Sequence, residues 1–210
     1  MHHIKYWNDK YCKLGKIWGT KPSKGAILAV KFLNKNDCPA QLILDIGCGY
    51  GRDANYFSKK GHNVVGVDAS EEALKIAKQL NKKIDYKTGN ITALNLPENH
   101  FDVVFGNFVI HDFSNKERIK IISECYRVLK KGGFVIQTLA SIEDPDFGKG
   151  KKFEDNSFKN KRGIIKHYYS KEGILEEFSK FKNHRIRKIV EAHTHEWPHI
   201  HKSFILFAQK

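Results

Sequence analysis

The stretch Leu44-Asp45-Ile46-Gly47-Cys48-Gly49-Tyr50-Gly51-Arg52, followed by Val64-Val65-Gly66-Val67-Asp68, constrains this chain more than any other part of it. A short apolar run reads as a strand, alternating glycines make a turn that opens a helix, and a second apolar run ends on a carboxylate 21 residues after Gly47. Lacking Cβ atoms, Gly47, Gly49 and Gly51 can take φ > 0 and let main-chain N–H groups approach a ligand closely. A carboxylate at a strand end, here Asp68, can accept from both hydroxyls of a ribose. The layout predicts an adenosyl-type ligand held at the carboxyl ends of parallel strands.

Details of the loop separate the candidate ligands. A dinucleotide fingerprint needs glycine or alanine at its sixth position, and counting from Gly47 that position is Arg52, so a pyridine dinucleotide fits poorly. Asp45 stands two residues before the first glycine, where it repels a phosphate and suits an ammonium group. S-adenosylmethionine carries an ammonium and a sulfonium, and no phosphate. At Asp45-x-Gly47-x-Gly49-x-Gly51 the chain resembles the class I S-adenosylmethionine-dependent methyltransferases. Gly89-Asn90-Ile91, Phe101-Asp102-Val103-Val104-Phe105-Gly106-Asn107-Phe108 and Leu129-Lys130-Lys131-Gly132-Gly133-Phe134 follow in the family's order and rough spacing. Motifs cover about residues 40 to 140, and segment order alone covers the rest. Gly47-Cys48-Gly49 followed by Gly51-Arg52 and a helix also resembles the tellurite-resistance (TehB-like) branch. The aromatic-rich segment before the first strand is similar to that of the thiopurine methyltransferases.

The resemblance implies an α/β, Rossmann-like, seven-stranded, mostly parallel sheet with an antiparallel C-terminal strand and helices on both faces. The residues agree. Apolar runs predict strands at Leu42-Asp45, Val64-Val67, Ile84-Lys87, Val103-Gly106 and Phe134-Leu139. Ser70, with Glu71 and Glu72 behind it, predicts a helix that turns Ala73, Ala77 and Leu80 inward. Ser114 and Glu117 form a capping box ahead of Ile119, Ile122, Tyr126 and Leu129, and Gly132-Gly133 is expected to stop that helix. A further helix is expected at Ser170-Phe181, then strands at Arg185-Val190 and Phe204-Gln209.

Site roles follow from the resemblance, residue by residue. Gly47, Gly49 and Gly51 shape the loop against the methionine part, with Cys48 a small residue in the turn. Asp45 holds the ammonium and Asp68 the ribose hydroxyls, while Ala69 and Ile91 pack on the adenine and Asn90 accepts from its amino group. The carbonyl of Asn107 faces the ammonium, beside Phe108. For both, a strand-end turn and a core aromatic are the plainer reading. Arg52 either pairs with the methionine carboxylate or bonds Asp53 or a nearby loop. Tyr11 and Trp18, in a helix and loop over the ligand, offer aromatic faces to a sulfonium, although core packing is the commoner use of such residues. His111, beside Asp112, lies nearest the expected methyl position as the candidate catalytic residue. The Asn/Asp-Pro-Pro-aromatic motif of nucleobase amine methylation is missing at Asn107-Phe108-Val109-Ile110.

At 210 residues and 40% hydrophobic content the chain suits one domain, 1–210, with an aromatic-rich cap at 1–40 and a lid at 140–169. Lys149 to Lys171 holds eight basic residues against two acids, interleaved with aromatics, and either encloses a small anionic or aromatic acceptor or forms a surface loop. The scattered Cys12, Cys38, Cys48 and Cys125 predict neither a disulfide framework nor a zinc site, and the absence of a signal-like start predicts a cytoplasmic protein. His193, His195, His199 and His201 invite a metal reading, but no cysteine accompanies them and none is assigned. The net charge of +14 keeps RNA as an alternative acceptor, although only six of the basic residues are Arg. The expected activity is methyl transfer to a small molecule, with no membrane partner and the oligomeric state left open. A catalytically silent binding module is the remaining alternative. Asp68→Ala is expected to weaken S-adenosylhomocysteine binding by about 1.5–3 kcal/mol in calorimetry, and unchanged affinity removes Asp68 from the site.

Overall fold

Runs apolar enough to be buried on both faces form the centre of a parallel sheet, while amphipathic runs between them become covering helices. The computed structural model describes residues 2–193 and 199–210. In chain order its elements are α1 (His2–Leu14), α2 (Lys24–Lys35), β1 (Leu42–Ile46), α3 (Arg52–Lys59), β2 (Asn63–Asp68), α4 (Glu71–Leu80), β3 (Asp85–Thr88) and β4 (Phe101–Asn107). A single 3₁₀ turn at Ile110–Asp112 precedes α5 (Asn115–Val128) and β5 (Leu129–Ala140). Then come β6 (Lys151–Glu154), β7 (Ser157–Lys159), β8 (Ile165–His167), α6 (Lys171–Glu177), β9 (Lys182–His193) and β10 (His199–Gln209).

Seven strands lie in the order β3-β2-β1-β4-β5-β10-β9. Chain direction reverses its march between β1 and β4, and β10 inserts antiparallel to both of its neighbours. One face packs on α2, α3 and α4 through Ala29, Leu33, Phe57, Leu74 and Ala77; the other packs on α5 and α6 through Ile121, Ile122, Cys125, Ile174 and Phe178. The edge strand β9 presents exposed Lys182, Arg185, Arg187 and Lys188, which discourages pairing with another sheet. No described helix is long and apolar enough to cross a membrane.

Several local expectations need correction. Helix α5 ends at Val128, because Leu129 is already extended and pairs with Phe101 of β4. Gly132 and Gly133 therefore do not stop the helix; they lie within β5, where Gly132 has φ +82° and the β4 register shifts. Ile119 is 57% exposed, and Arg118, Ile121, Ile122, Cys125 and Val128 face inward instead. On α4 the buried set is Ala73, Leu74 and Ala77, with Leu80 half-buried. Helix α6 is shorter than expected, ending at Glu177, although Ser170 does cap it. Residues 24–35 are not part of a cap: α2 is a full member of one helical layer.

The 140–169 segment is neither a plain connection nor a bare loop. It folds into a second antiparallel sheet, β6-β7-β8, steadied by edge-on packing of Phe147 against Phe158 and Tyr168 at 5.4 and 5.5 Å. At its tip, the Arg162 guanidinium donates to the Tyr6 hydroxyl of α1 at 3.3 Å, so this sheet and α1 meet across one end of the molecule. Cys12, Cys38, Cys48 and Cys125 are free thiols, with Cys48 and Cys125 buried.

Helix α2 seats directly on the sheet crest. A Cβ at Gly25 would run into the Thr138 hydroxyl and stand 2.8 Å from Asn107 Oδ1. Gly25→Ala is expected to destabilise the protein by about 1–3 kcal/mol through overpacking, despite alanine's higher helix propensity. Adding Thr138→Ala should restore much of the loss in thermal unfolding; an undiminished loss in the double variant would remove the contact as the cause.

Candidate functional site

The turn after β1 is shaped by main-chain conformation. Gly47, Gly49 and Gly51 have φ of +63°, +53° and +74°, the left-handed region that disfavours side chains. Their open sides are closely covered. A Cβ at Gly47 would strike the Val109 side chain, one at Gly49 would lie 2.7 Å from the Tyr11 hydroxyl, and one at Gly51 would strike the Tyr86 hydroxyl. The Cys48 N–H donates to Val67 O at 3.1 Å, tying the turn to β2. Asp68 completes the link: Oδ2 accepts from Gly49 N at 2.7 Å and Oδ1 from Ser70 N at 2.8 Å.

Asp45 carries the main electrostatic feature. The residue is 2% exposed, and its Oδ2 has no hydrogen-bond partner among the described residues. Burial first, and then the negative charges of Asp53 and Asp68, push its carboxyl well above the usual range; Arg52 and the Ala54 N–H act the other way. A buried carboxylate with an unpaired oxygen is costly unless a cation or donor completes it. The ammonium of S-adenosylmethionine would meet that need if its amino-acid part lay against the glycine turn. The residues present fit this cofactor.

The other anticipated residues divide into groups. Tyr11 lies over Gly49, packs on Tyr50 with ring centroids 6.0 Å apart, and has its hydroxyl pushed up by burial and then by Asp68. Trp18 is 39% exposed, and its backbone N–H donates to the Tyr50 hydroxyl at 3.1 Å. The cation over this aromatic group is Lys10, 5.0 Å from the Trp18 ring and 5.2 Å from Trp7. Arg52 takes the second of its expected roles, donating to Trp18 O at 3.1 Å and pairing with Asp53 at 3.4 Å. Cys48 is a small buried turn residue, and burial raises its thiol's pKa well above the ordinary value.

Ala69 stands half-buried beside Asp68. Asn90 is exposed, and its side-chain oxygen already accepts from Thr92 N and Thr92 Oγ1, both at 2.9 Å. This turn occupies both lone pairs expected to serve the adenine, a role that the Asn90-Ile91-Thr92 spacing could have warned against. Ile91 is buried in the apolar cluster with Leu44 and Leu94. Asn107 ends β4 with its Oδ1 buried and unpartnered. Phe108 has φ +54°, uncommon for a bulky residue, and its ring packs 5.5 Å from His111. His111 is 6% exposed, with Nε2 3.2 Å from Asp112 Oδ1 and Nδ1 unpartnered among the described residues.

Val109 and Tyr86 over the glycines, and Gly25 on the crest, were not anticipated. Their placement depends on which loops meet, for which the local sequence has no signal. Of the histidine cluster, His195 and the side chains of His193 and His199 lie outside the described residues. His201 Nδ1 sits 3.0 Å from Asp144 Oδ2. Burial would raise the Asp144 carboxyl, but His201, the N–H groups of Asp146 and Lys202, and the Lys166 charge bring it down to about 2.

The reversal of strand order between β1 and β4, the left-handed glycine turn at that point and the acid ending β2 define a class of Rossmann-like nucleoside-binding folds with an antiparallel seventh strand. Residues 44–137 match the family described as "Methyltransferase domain". An uncharacterized methyltransferase of Synechocystis is 38% identical over 95 residues, 45% of each chain. Demethylmenaquinone methyltransferase of Renibacterium salmoninarum is 33% identical over 110 residues, 52% of this chain and 45% of that one. The chain thus spans about half the length of the curated relatives it matches. An S-adenosylmethionine-dependent methyltransferase structure from Methanosarcina mazei superposes with TM-score 0.69 at 24% identity, covering 82% of this chain and 93% of that one. The Burkholderia thailandensis 1,6-didemethyltoxoflavin-N1-methyltransferase, solved with S-adenosylhomocysteine, gives 0.72 at 16% identity, covering 100% and 87%. Residues 44–137 thus match a methyltransferase domain, and the fold is the one shared by S-adenosylmethionine-dependent methyltransferases of known structure.

An ammonium beside Asp45 favours the ionised carboxyl, so cofactor-product binding should release a proton at any pH where the ligand-free carboxyl is still protonated. Calorimetry of S-adenosylhomocysteine binding in buffers of different ionisation enthalpy reads that release directly. Asp45→Asn should abolish it and weaken binding by about 1.5–3 kcal/mol. Because a raised acid pKa makes the ionised form unfavourable to folding, ligand-free stability should fall as pH rises through the Asp45 range, and the asparagine variant should lose that slope. Equal proton release in both proteins would remove Asp45 from the ammonium site.

Proposed function

We propose that this chain transfers a methyl group to a small-molecule acceptor held over the carboxyl ends of β1 and β4, with His111 as general base. When bound, S-adenosylmethionine supplies an electrophilic methyl carbon on a sulfonium. The protein's share is to position the acceptor in line with that carbon, exclude water and receive a proton where the acceptor carries one.

The observation that carries the reading is the state of His111. Its Nε2 faces Asp112 Oδ1 at 3.2 Å while Nδ1, buried, has no partner among the described residues. Asp112 favours the tautomer protonated at Nε2, which leaves the Nδ1 lone pair to take a proton from a hydroxyl or ring nitrogen as that atom attacks. Two features favour a small acceptor. The tip of the second sheet meets α1 through Arg162 and Tyr6, which narrows access from that side. The Burkholderia neighbour is named for a heterocyclic small molecule, 1,6-didemethyltoxoflavin.

The test is labelled-methyl incorporation into a panel of catechol, imidazole, benzylamine and benzoate, run beside total RNA. Turnover of catechol or imidazole is expected. His111→Asn should lower kcat by about 10²–10⁴-fold while S-adenosylhomocysteine affinity stays unchanged. Incorporation into RNA alone would overturn the small-molecule acceptor, and full activity in His111→Asn would overturn the base.

A further inference from the structure

Arg118 of α5 is only 3% exposed, and every arm of its guanidinium is engaged. Nη2 and Nε grip Glu177 of α6 at 2.8 and 3.1 Å, Nη2 reaches Asn115 Oδ1 at 3.3 Å, and Nη1 donates to Phe113 O at 3.1 Å. Glu154 of β6 stands 3.8 Å from Nη1 and accepts from Asn115 N at 2.8 Å. The Tyr169 hydroxyl donates to Glu177 Oε2 at 3.2 Å, and His167 Nε2 lies 3.9 Å from Glu177 Oε1. His167 in turn is hydrogen-bonded through Nδ1 to Ser157 Oγ of β7 at 2.8 Å. Burial, then the positive charge of Arg118, hold the His167 imidazole down at about 3, so it stays neutral.

This network joins three bodies: the second sheet, α6, and the segment that carries His111. Phe113 follows the 3₁₀ turn directly, and the turn's own hydrogen bonds are long, Asp112 N to Val109 O at 3.2 Å and Phe113 N to Ile110 O at 3.3 Å. So short a helix cannot place itself. The grip on Phe113 O supplies an external reference. A buried ion pair is often no more stabilising than apolar residues of the same volume, whereas it does specify one geometry among near-equals.

We propose that Arg118, clamped by Glu177, is a positioning residue for methyl transfer: it sets the 3₁₀ turn, and with it His111 Nδ1, against the acceptor. The proposal rests on the reading of His111 as base. Arg118 touches neither cofactor nor acceptor, and its effect runs through the imidazole.

A double-variant cycle tests it, using Arg118→Lys, which keeps the charge but cannot reproduce the planar two-pronged grip. With catechol or imidazole as acceptor, Arg118→Lys should lower kcat by about tenfold to a hundredfold, as a small misplacement of a reacting group does. Affinity for S-adenosylhomocysteine should stay within about twofold, because the network lies apart from the cofactor residues. Introduced into His111→Asn, the same change should have no further effect. In the cofactor-product complex, the His111 imidazole resonances should shift in Arg118→Lys, a readout that needs no acceptor. An equal further loss in the His111→Asn background, a fall in S-adenosylhomocysteine affinity in step with kcat, or unshifted imidazole resonances would each overturn the positioning role. Full activity in His111→Asn would overturn the base reading itself and this proposal with it, whereas loss in His111→Asn with additive behaviour overturns the positioning alone. Should Arg118→Lys fail to fold, Glu177→Gln, which keeps the side-chain volume and one acceptor, runs the same cycle with the same criteria.

Discussion

A carboxylate shut away from water with one oxygen unpaired is the condition on which the rest of this structure turns. Asp45 sits at the end of the central strand β1 because its neighbours Leu44 and Ile46 belong to the core, and the strand carries it inward with them. Burial and the adjacent Asp53 and Asp68 make its ionised form unfavourable. The fold tolerates that cost where strand order reverses between β1 and β4, the position at which open α/β sheets bind their ligands.

From that constraint the surrounding architecture follows. The turn beyond Asp45 has left-handed glycines at alternate positions, and Val109, Tyr11 and Tyr86 pack where a side chain on each would have to stand. Asp68 then steadies the turn from β2 by accepting from Gly49 N. Peripheral elements close the crevice, with Tyr11 of α1 on one side and Val109 after β4 on the other. On the far face, buried polar contacts among Arg118, Glu177, Tyr169 and His167 tie the second sheet to the body, so its basic, aromatic surface stands on a rigid base.

Legibility in the sequence tracked how local each determinant was. The β1 turn, the Asp68 strand end and the Ser114-Glu117 capping box depend on residues a few positions apart, and the structure has all three. Expectations failed where a distant partner decided. Leu129 leaves its helix because Phe101 pairs with it; Asn90 is committed to Thr92; Ile119 points outward because α5 turns Arg118 toward α6. The 140–169 segment looked irregular because strands of three and four residues have too few positions for a periodic signal, and their pairing with one another supplies the order.

By itself the sequence determined the class of fold, the cofactor turn and the acid behind it, because glycine conformation and strand alternation are local properties of the chain. Tertiary structure alone decided that Asp45 is left with an unpaired oxygen, that Arg52 turns to Trp18 and Asp53, and that an arginine absent from any motif holds the segment bearing His111. Those outcomes depend on which groups lose water together when the layers close, and no stretch of a single strand or helix contains that information.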